Sequence, residues 1–194
     1  MTLHTLIIIL AFVPLISSLL LAYQTMRAGF SIWGKASIAS KWLYYFAKTI
    51  AAIALLLTAL ASLVPQFYLN FAGTVQMEVP FSQRILAVVF LLAGNLLLLL
   101  AQYELSIFTR IGLPQGKHAL CTSGVYALSR NPMYTSLIFF FIACFLLNPN
   151  LILALVLAAS FVVHCHIIRR EEEYLSLEFG EEYEAYRSKT AKFL

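Results

Sequence analysis

The chain has 194 residues, of which 61% are hydrophobic and only 11% are charged, and its formal net charge is +4. This composition excludes an ordinary soluble domain and indicates an integral membrane protein. The positive charge does not indicate a nucleic-acid partner, because the basic residues are spread over several short segments and membrane topology accounts for their placement.

Five apolar segments follow one another along the chain. A hydrocarbon core about 30 Å thick requires about 20 apolar residues in a helix. The sequence predicts spans over residues 3–26, 42–64, 81–103, 133–147 and 151–168. The last two are separated only by Asn148-Pro149-Asn150, a turn sequence that predicts a tight helical hairpin over residues 133–168. The predicted fold is therefore all-α and integral to the membrane, with five transmembrane helices.

The polar residues divide this chain into two regions. Residues 1–110 are predicted to contain transmembrane helices 1–3 and little else. Residues 111–194 are predicted to form a catalytic region, made of a cytoplasmic loop, the helical hairpin and a C-terminal tail. The tail holds most of the glutamates of the chain. Gly180 is predicted to break the tail into two helical segments, because glycine is a poor helix former.

The distribution of lysine and arginine predicts the orientation of the spans. The segments assigned to one side, after the first, third and fifth spans, hold every basic residue except Arg84, with Lys48 counted in the first of these segments. The positive-inside rule places this side in the cytoplasm. The N-terminus is then outside the cell membrane, and the C-terminus and the polar loop are both cytoplasmic. A common side allows the loop and the tail to build one site.

The loop over residues 113–134 gathers His, Lys, Arg, Gln, Asn and Tyr side chains within a mostly apolar chain. Asn131 is predicted to be the N-cap of the fourth helix and Pro132 its first residue. The free N–H groups at such a helix start can bind a carboxylate. Arg130 beside it adds a positive charge and a guanidinium that can donate two hydrogen bonds to a carboxylate.

A few polar residues lie inside the predicted spans. Asn95 and Gln102 are seven residues apart on the third helix, share a face and predict a polar seam between helices. His164 and His166 are two residues apart and point to nearly opposite sides of a helix, so they are poor metal ligands as a pair. The three cysteines form no CxxC pair, and no GxGxxG or P-loop motif is present. No metal site is predicted.

Several short motifs in the C-terminal half occur in a specific order. They are Lys117-His118-Ala119-Leu120, Thr122-Ser123-Gly124-Val125-Tyr126, Arg130-Asn131-Pro132-Met133-Tyr134, Glu171-Glu172 with Leu175, and Phe179-Gly180-Glu181-Glu182-Tyr183 with Tyr186. This pattern resembles the cofactor signature of the isoprenylcysteine carboxyl methyltransferases, and the five-helix length is similar to that of compact prokaryotic and archaeal members. Relatives often have histidine where this chain has Asn131.

The resemblance implies S-adenosylmethionine as the cofactor and S-adenosylhomocysteine as its product. It implies a cytoplasmic pocket formed by the loop, the start of the fourth helix and the tail. The residues expected to contact the cofactor are Gln115, Lys117, His118, Ala119, Leu120, Val125, Tyr126, Arg130, Asn131, Pro132 and Tyr134. Those expected at the substrate are Arg169, Arg170, Glu171 and Glu173. The family has an Arg and a Glu four residues apart, and here the nearest such pair is Arg169 and Glu173.

The activity implied is methylation of the α-carboxylate of a prenylated cysteine or a similar lipid-linked acid, as in protein-S-isoprenylcysteine O-methyltransferases. The partners expected are that lipidic carboxylate and membrane lipids, without nucleic acid or metal. Three alternatives remain open. They are a phospholipid or amine N-methyltransferase, a membrane sterol-type reductase with a nicotinamide cofactor, and a non-enzymatic membrane protein.

Overall fold

The computed structural model describes residues 2–29, 41–63, 79–105 and 119–194. Within these ranges the chain forms six α-helices and no strand. The helices are α1 Leu3–Arg27, α2 Lys41–Leu63, α3 Phe81–Leu105, α4 Pro132–Leu147, α5 Leu151–Phe179 and α6 Glu181–Lys189, and a short 3₁₀ helix, Gly124–Ala127, precedes α4. The all-α prediction is confirmed for this part of the chain.

Each of the five predicted spans coincides with one of the first five helices. In the described residues, α1, α3 and α5 are long and apolar enough to cross a membrane. Shorter apolar helical stretches lie at Phe46–Leu60 in α2 and Pro132–Leu147 in α4. The structure thus provides three candidate membrane-spanning helices, and five spans remain a prediction.

Helix α3 has packed neighbours on two sides. It packs mainly against α4 and also against α1, while α2 contacts α1, α4 and α5. Buried apolar side chains from α1 to α5 form one core between these helices. Large apolar side chains also cover the outside, for example Leu19, Leu96 and Leu155, each more than half exposed. An apolar outer surface around an apolar core suits a bundle surrounded by lipid.

The turns between α4, α5 and α6 contain the capping and helix-breaking residues that the sequence indicated. The Asn150 side chain accepts a hydrogen bond from the backbone N of Leu153 at 2.8 Å and so caps α5. The turn after α4 is short, as predicted for a hairpin, although α4 packs more extensively against α3 than against α5. Gly180 has a φ of 53° between α5 and α6, a backbone conformation that favours glycine. The predicted break at Gly180 is therefore confirmed.

The polar seam predicted on α3 is confirmed. The Asn95 amide donates to the backbone carbonyl of Leu10 in α1 at 2.9 Å, and also to that of Leu91 in α3. The Gln102 amide donates to Ser18 Oγ of α1 at 3.4 Å. These bonds give the two amide nitrogens partners and join α3 to α1, while Asn95 Oδ1 has no hydrogen-bond partner among the described residues.

Gly94 controls how closely α3 approaches α4. A Cβ added at Gly94 would lie 2.8 Å from a ring atom of Phe140, whose side chain is buried. We expect Gly94→Ala to reduce the free energy of unfolding by about 1–3 kcal/mol, since the packed ring has little room to move. Thermal unfolding in detergent measures this loss.

A double-mutant cycle with Phe140→Leu provides the control. The smaller leucine leaves space for the added methyl group, so the loss from Gly94→Ala should shrink in that background. An equal loss in both backgrounds would show that the Gly94–Phe140 contact does not limit the packing.

Candidate functional site

Two segments that are distant in sequence meet at one end of the bundle. One runs from the 3₁₀ helix to the start of α4, and the other comprises the end of α5, α6 and the last residues of the chain. A parallel backbone bridge joins Ser129 to Ala191. The C-terminal end of α3 lies at the same place, because Ser123 Oγ donates to Glu104 Oε2 at 3.3 Å. The contact between loop and tail that the sequence predicted is therefore present.

The carboxylate of Glu172 is the main connection between these segments. Arg130 Nε and Asn131 Nδ2 both donate to Glu172 Oε1 at 3.1 Å. Lys192 Nζ lies 3.4 Å from the other oxygen. The side chains of Glu172 and Arg130 are each only 11% exposed. Charge-assisted hydrogen bonds of this kind offset much of the cost of taking these charges out of water.

Further hydrogen bonds hold the last residues of the chain against the loop. The backbone N of Arg130 donates to the carbonyl of Ala191 at 2.9 Å. The guanidinium of Arg130 also donates to the carbonyl of Arg187 at 3.1 Å. Ser129 Oγ donates to the carbonyl of Lys192 at 3.3 Å. Arg130 thus binds the tail through both its backbone and its side chain.

Asn131 occupies the N-cap position of α4, as predicted, but its side chain does not cap the helix. The side-chain amide donates to Glu172 and to the carbonyl of Lys192 at 3.2 Å. The Asn131 carbonyl still accepts from the backbone N of Thr135, which starts the helical pattern. The predicted start of α4 at Asn131 and Pro132 is therefore confirmed, while the Asn131 side chain is used in a tertiary contact with α5.

Glu171, next to Glu172, instead contacts Tyr134 of α4. Its Oε1 accepts a hydrogen bond from the hydroxyl of Tyr134 at 3.0 Å. The buried ring of Tyr134 lies edge-on to His164, with centroids 5.8 Å apart, and Lys48 Nζ is 4.8 Å from its centroid. Lys48, Tyr134 and Glu171 belong to α2, α4 and α5, so this cluster lies where the three helices meet.

Tyr126 contributes a buried hydroxyl beside these groups. Its side chain is 7% exposed, and its hydroxyl has no hydrogen-bond partner among the described residues. Burial raises the pKa of Tyr126, and nearby Cys121 and Tyr186 act in the same direction. The Tyr186 hydroxyl donates to the Tyr126 carbonyl at 2.6 Å, and burial raises the pKa of Tyr186 to about 12. Both hydroxyls are therefore protonated at neutral pH and can act as donors.

The remaining predicted cofactor residues divide into two groups. The structure describes Ala119 as exposed, Leu120 and Val125 as half-buried, and Pro132 as buried at the start of α4. Gln115, Lys117 and His118 lie outside the described residues. Tyr126, Arg130, Asn131, Pro132 and Tyr134 are therefore the predicted positions that the structure brings next to the end of α5 and the tail.

The predicted substrate residues at the end of α5 do not all face the same way. Arg169 and Arg170 are exposed, and Arg170 forms a surface ion pair with Glu173 at 3.1 Å. The spacing had indicated a pair between Arg169 and Glu173, and the pair seen is one residue closer. Of the four residues, Glu171 is the one whose described contact points to the cluster around Tyr134.

Lys48 is a residue of the cluster around Tyr134 that the sequence did not single out. It was counted with the loop after the first span, whereas the structure places it inside α2. The sequence contained a signal for Lys48, since it lies within the predicted span over residues 42–64. A charged residue within a span is energetically costly and usually functional. His164 is also present in this cluster, with its Nδ1 at 2.7 Å from the Ser160 carbonyl. No cluster of three potential metal ligands occurs in the described ranges.

The contacts of Glu171 and Glu172 with the loop lie within a region that matches a known family. A model of the phospholipid methyltransferase family matches residues 82–182, which is more than half of the chain. This region extends from α3 to the start of α6 and includes the contacts of Glu171 and Glu172 with the loop. The matched family belongs to the same membrane methyltransferase superfamily as the isoprenylcysteine methyltransferases. No curated protein and no solved structure matches the chain.

The two glutamates Glu172 and Glu173 provide a matched test of the loop–tail connection. We expect Glu172→Gln to reduce the free energy of unfolding by about 3 kcal/mol, since it leaves the poorly exposed charge of Arg130 without its counterion. Glu173→Gln removes an exposed ion pair and should cost less than about 1 kcal/mol. Thermal unfolding in detergent measures both, and equal losses would contradict the role assigned to Glu172.

Proposed function

Because the chain belongs to the phospholipid methyltransferase family, we propose that this membrane methyltransferase modifies the polar end of a lipid with S-adenosylmethionine as donor. The site proposed is the end of the bundle where the loop meets the tail. The observation that carries the proposal is the contact of adjacent Glu171 and Glu172 with Tyr134 and with Arg130 and Asn131. The family match leaves the reductase and the non-enzymatic alternatives without support.

The residues present fit such a cofactor in one testable respect. The hydroxyl of Tyr126 is buried and lacks a described partner, and a buried donor of this kind normally has one. Tyr126, Pro132 and Tyr134 would line the cofactor pocket, and the start of α4 would receive its carboxylate. When bound, the cofactor supplies an electrophilic methyl group. The chain's contribution is to hold the acceptor in line and to exclude water, effects worth up to about 7–11 kcal/mol.

For the acceptor, we propose the α-carboxylate of a prenylated cysteine or a similar lipid-linked acid. The motif order supports this choice, because it resembles that of the isoprenylcysteine enzymes. A carboxylate is ionised at neutral pH and needs no general base. The apolar outer surface would let the lipid chain stay in hydrocarbon, while the cofactor arrives from water. We propose the cytoplasmic boundary of the cell membrane as the place where both can meet.

A phospholipid amine is the second candidate acceptor. The matched family is described as phospholipid methyltransferases, which favours a phospholipid as the acceptor. An ammonium group must lose a proton before it can accept a methyl group, so this reaction needs a base. Glu171 would be that base, since its carboxylate contacts Tyr134 at the centre of the cluster. A carboxylate acceptor requires no such base, so the role of Glu171 as a base belongs to the amine reaction alone.

Methyl transfer from labelled S-adenosylmethionine distinguishes the two acceptors. The purified protein is incubated in detergent with a farnesyl-cysteine analogue or with phosphatidylethanolamine, and the lipid product is then treated with base. A methyl ester releases volatile labelled methanol, whereas an N-methyl product keeps its label. We expect base-labile label on the farnesyl-cysteine analogue. Base-stable label on phosphatidylethanolamine alone would select the second candidate, and label on neither acceptor would contradict the proposed chemistry.

The role of Tyr126 in cofactor binding has its own test. We expect Tyr126→Phe to weaken the binding of S-adenosylhomocysteine by about tenfold, the value of one buried hydrogen bond. Protein stability should not fall, because the hydroxyl has no described partner to lose. Calorimetric titration measures the affinity. Tyr103→Phe, at an exposed tyrosine of α3, is the control, and equal affinities in both variants would remove Tyr126 from the cofactor pocket.

A further inference from the structure

Lys48 is a charged residue inside an apolar helix. It lies seven residues after the start of α2, and the preceding residue, Ala47, is fully buried. Ala47 packs in one cluster with Tyr134 of α4 and with Ile167 and Ile168 of α5. This packing fixes the backbone of α2 beside the ends of two other helices. The position of Lys48 is therefore set by the core and not by a loop.

The environment of Lys48 combines an aromatic ring with a carboxylate. Its Nζ lies 4.8 Å from the centroid of the Tyr134 ring, a distance that allows a cation–π interaction. The hydroxyl of the same ring donates to Glu171, and Glu171 and Lys48 interact electrostatically. A cation, a ring and an anion from three helices thus form one connected group, which meets the expectation that charges in a span face a functional site.

The side chain of Lys48 is also accessible from outside the bundle. Lys48 is exposed, and nearby Phe46 on the same helix is 59% exposed. A molecule that approaches through the lipid therefore reaches the cation together with an apolar surface. A lipid with an anionic polar end has this combination of chemical groups, because its chain can contact the apolar surface while its charge contacts the lysine.

The other cations at this end of the bundle have different contacts. Within the described ranges, Arg130 and Lys192 contact Glu172, and Arg170 contacts Glu173 on the surface. Lys48 instead lies over the ring of Tyr134. The cluster around Tyr134 and Glu171 therefore receives its positive charge from α2 and not from the arginines that follow the last span.

We propose that Lys48 binds the anionic group of the lipid acceptor and places the acceptor's polar end beside Tyr134 and Glu171. This inference rests on the proposed function for the identity of the site, and it names the residue that selects an acidic lipid. The anionic group is a carboxylate in a prenylated cysteine and a phosphate in a phospholipid. The chemistry recognised is the same in both.

Lipid binding tests the proposal independently of methyl transfer. In one arm, the affinity of the detergent-solubilised protein is measured for a farnesyl-cysteine analogue with a free carboxylate and for its neutral amide. In the other arm, phosphatidic acid is compared with diacylglycerol. We expect the wild type to prefer the anionic lipid by about tenfold in at least one arm, as for a charge-assisted hydrogen bond. The arm that shows the preference identifies the source of the anion.

Variants connect this preference with Lys48. Lys48→Met should abolish it and Lys48→Arg should restore most of it, while Lys189→Met, at an exposed lysine of α6, should leave it unchanged. If Lys48→Met does not fold, Lys48→Gln replaces it, because it keeps a polar group at the boundary. Unchanged binding of S-adenosylhomocysteine shows that the fold is intact.

Three results would overturn the proposal. They are no preference of the wild type in either arm, a preference that survives in Lys48→Met or Lys48→Gln, and a preference that is lost only in the double variant Arg169→Ala/Arg170→Ala. A wild type that prefers the anionic lipid through Lys48 but methylates neither acceptor would contradict the proposed function and support the binding role.

Discussion

The architecture of the end of the bundle where the loop meets the tail depends on one poorly exposed carboxylate, that of Glu172. Burying a carboxylate is costly, and here Arg130, Asn131 and Lys192 all contribute donors that offset the cost. Because these donors come from the loop and from the last residues of the chain, the same interaction joins segments about 40 and 20 residues away from Glu172. Successive residues of a helix point about 100° apart, so Glu171 faces elsewhere, towards Tyr134. Glu172 thus joins the loop to the tail, while its neighbour Glu171 faces the cluster around Tyr134.

The membrane explains why so few polar groups are enough to define a site. Within a bundle surrounded by hydrocarbon, a polar side chain needs a partner or a function. Asn95 and Gln102 have partners on α1 and serve the fold. Lys48, Tyr126, Tyr134 and Glu171 are grouped at one end, where apolar surface meets the polar loop and tail. A reaction between a lipid and a water-borne cofactor is suited to such a boundary, since each reactant can remain in its preferred solvent.

The apolar helices were predictable because the hydrocarbon core sets the length of an apolar segment, and α1 to α4 begin and end close to the predicted limits. The continuation of α5 to Phe179 was predictable for a different reason, since the helical spacing continues past the apolar stretch that ends at residue 168 and Gly180 then interrupts it. Local rules placed Asn131 at the helix start, but they could not show that Glu172, 41 residues later, would take its side chain. Likewise, spacing alone could not distinguish Arg169 from Arg170 as the partner of Glu173.

Lys48 shows why counting charges is insufficient to find a site in a membrane protein. The positive-inside rule treats every lysine and arginine as a marker of topology. A lysine two turns inside a helix has a different effect, because the helix fixes its position and the neighbouring spans determine its surroundings. In this chain those surroundings include an aromatic ring and a carboxylate. In the proposed binding role, the stem of Lys48 would lie on apolar surface and its charge near the polar boundary. The chain of an acidic lipid would then lie along the same apolar surface, with its anionic group at the charge.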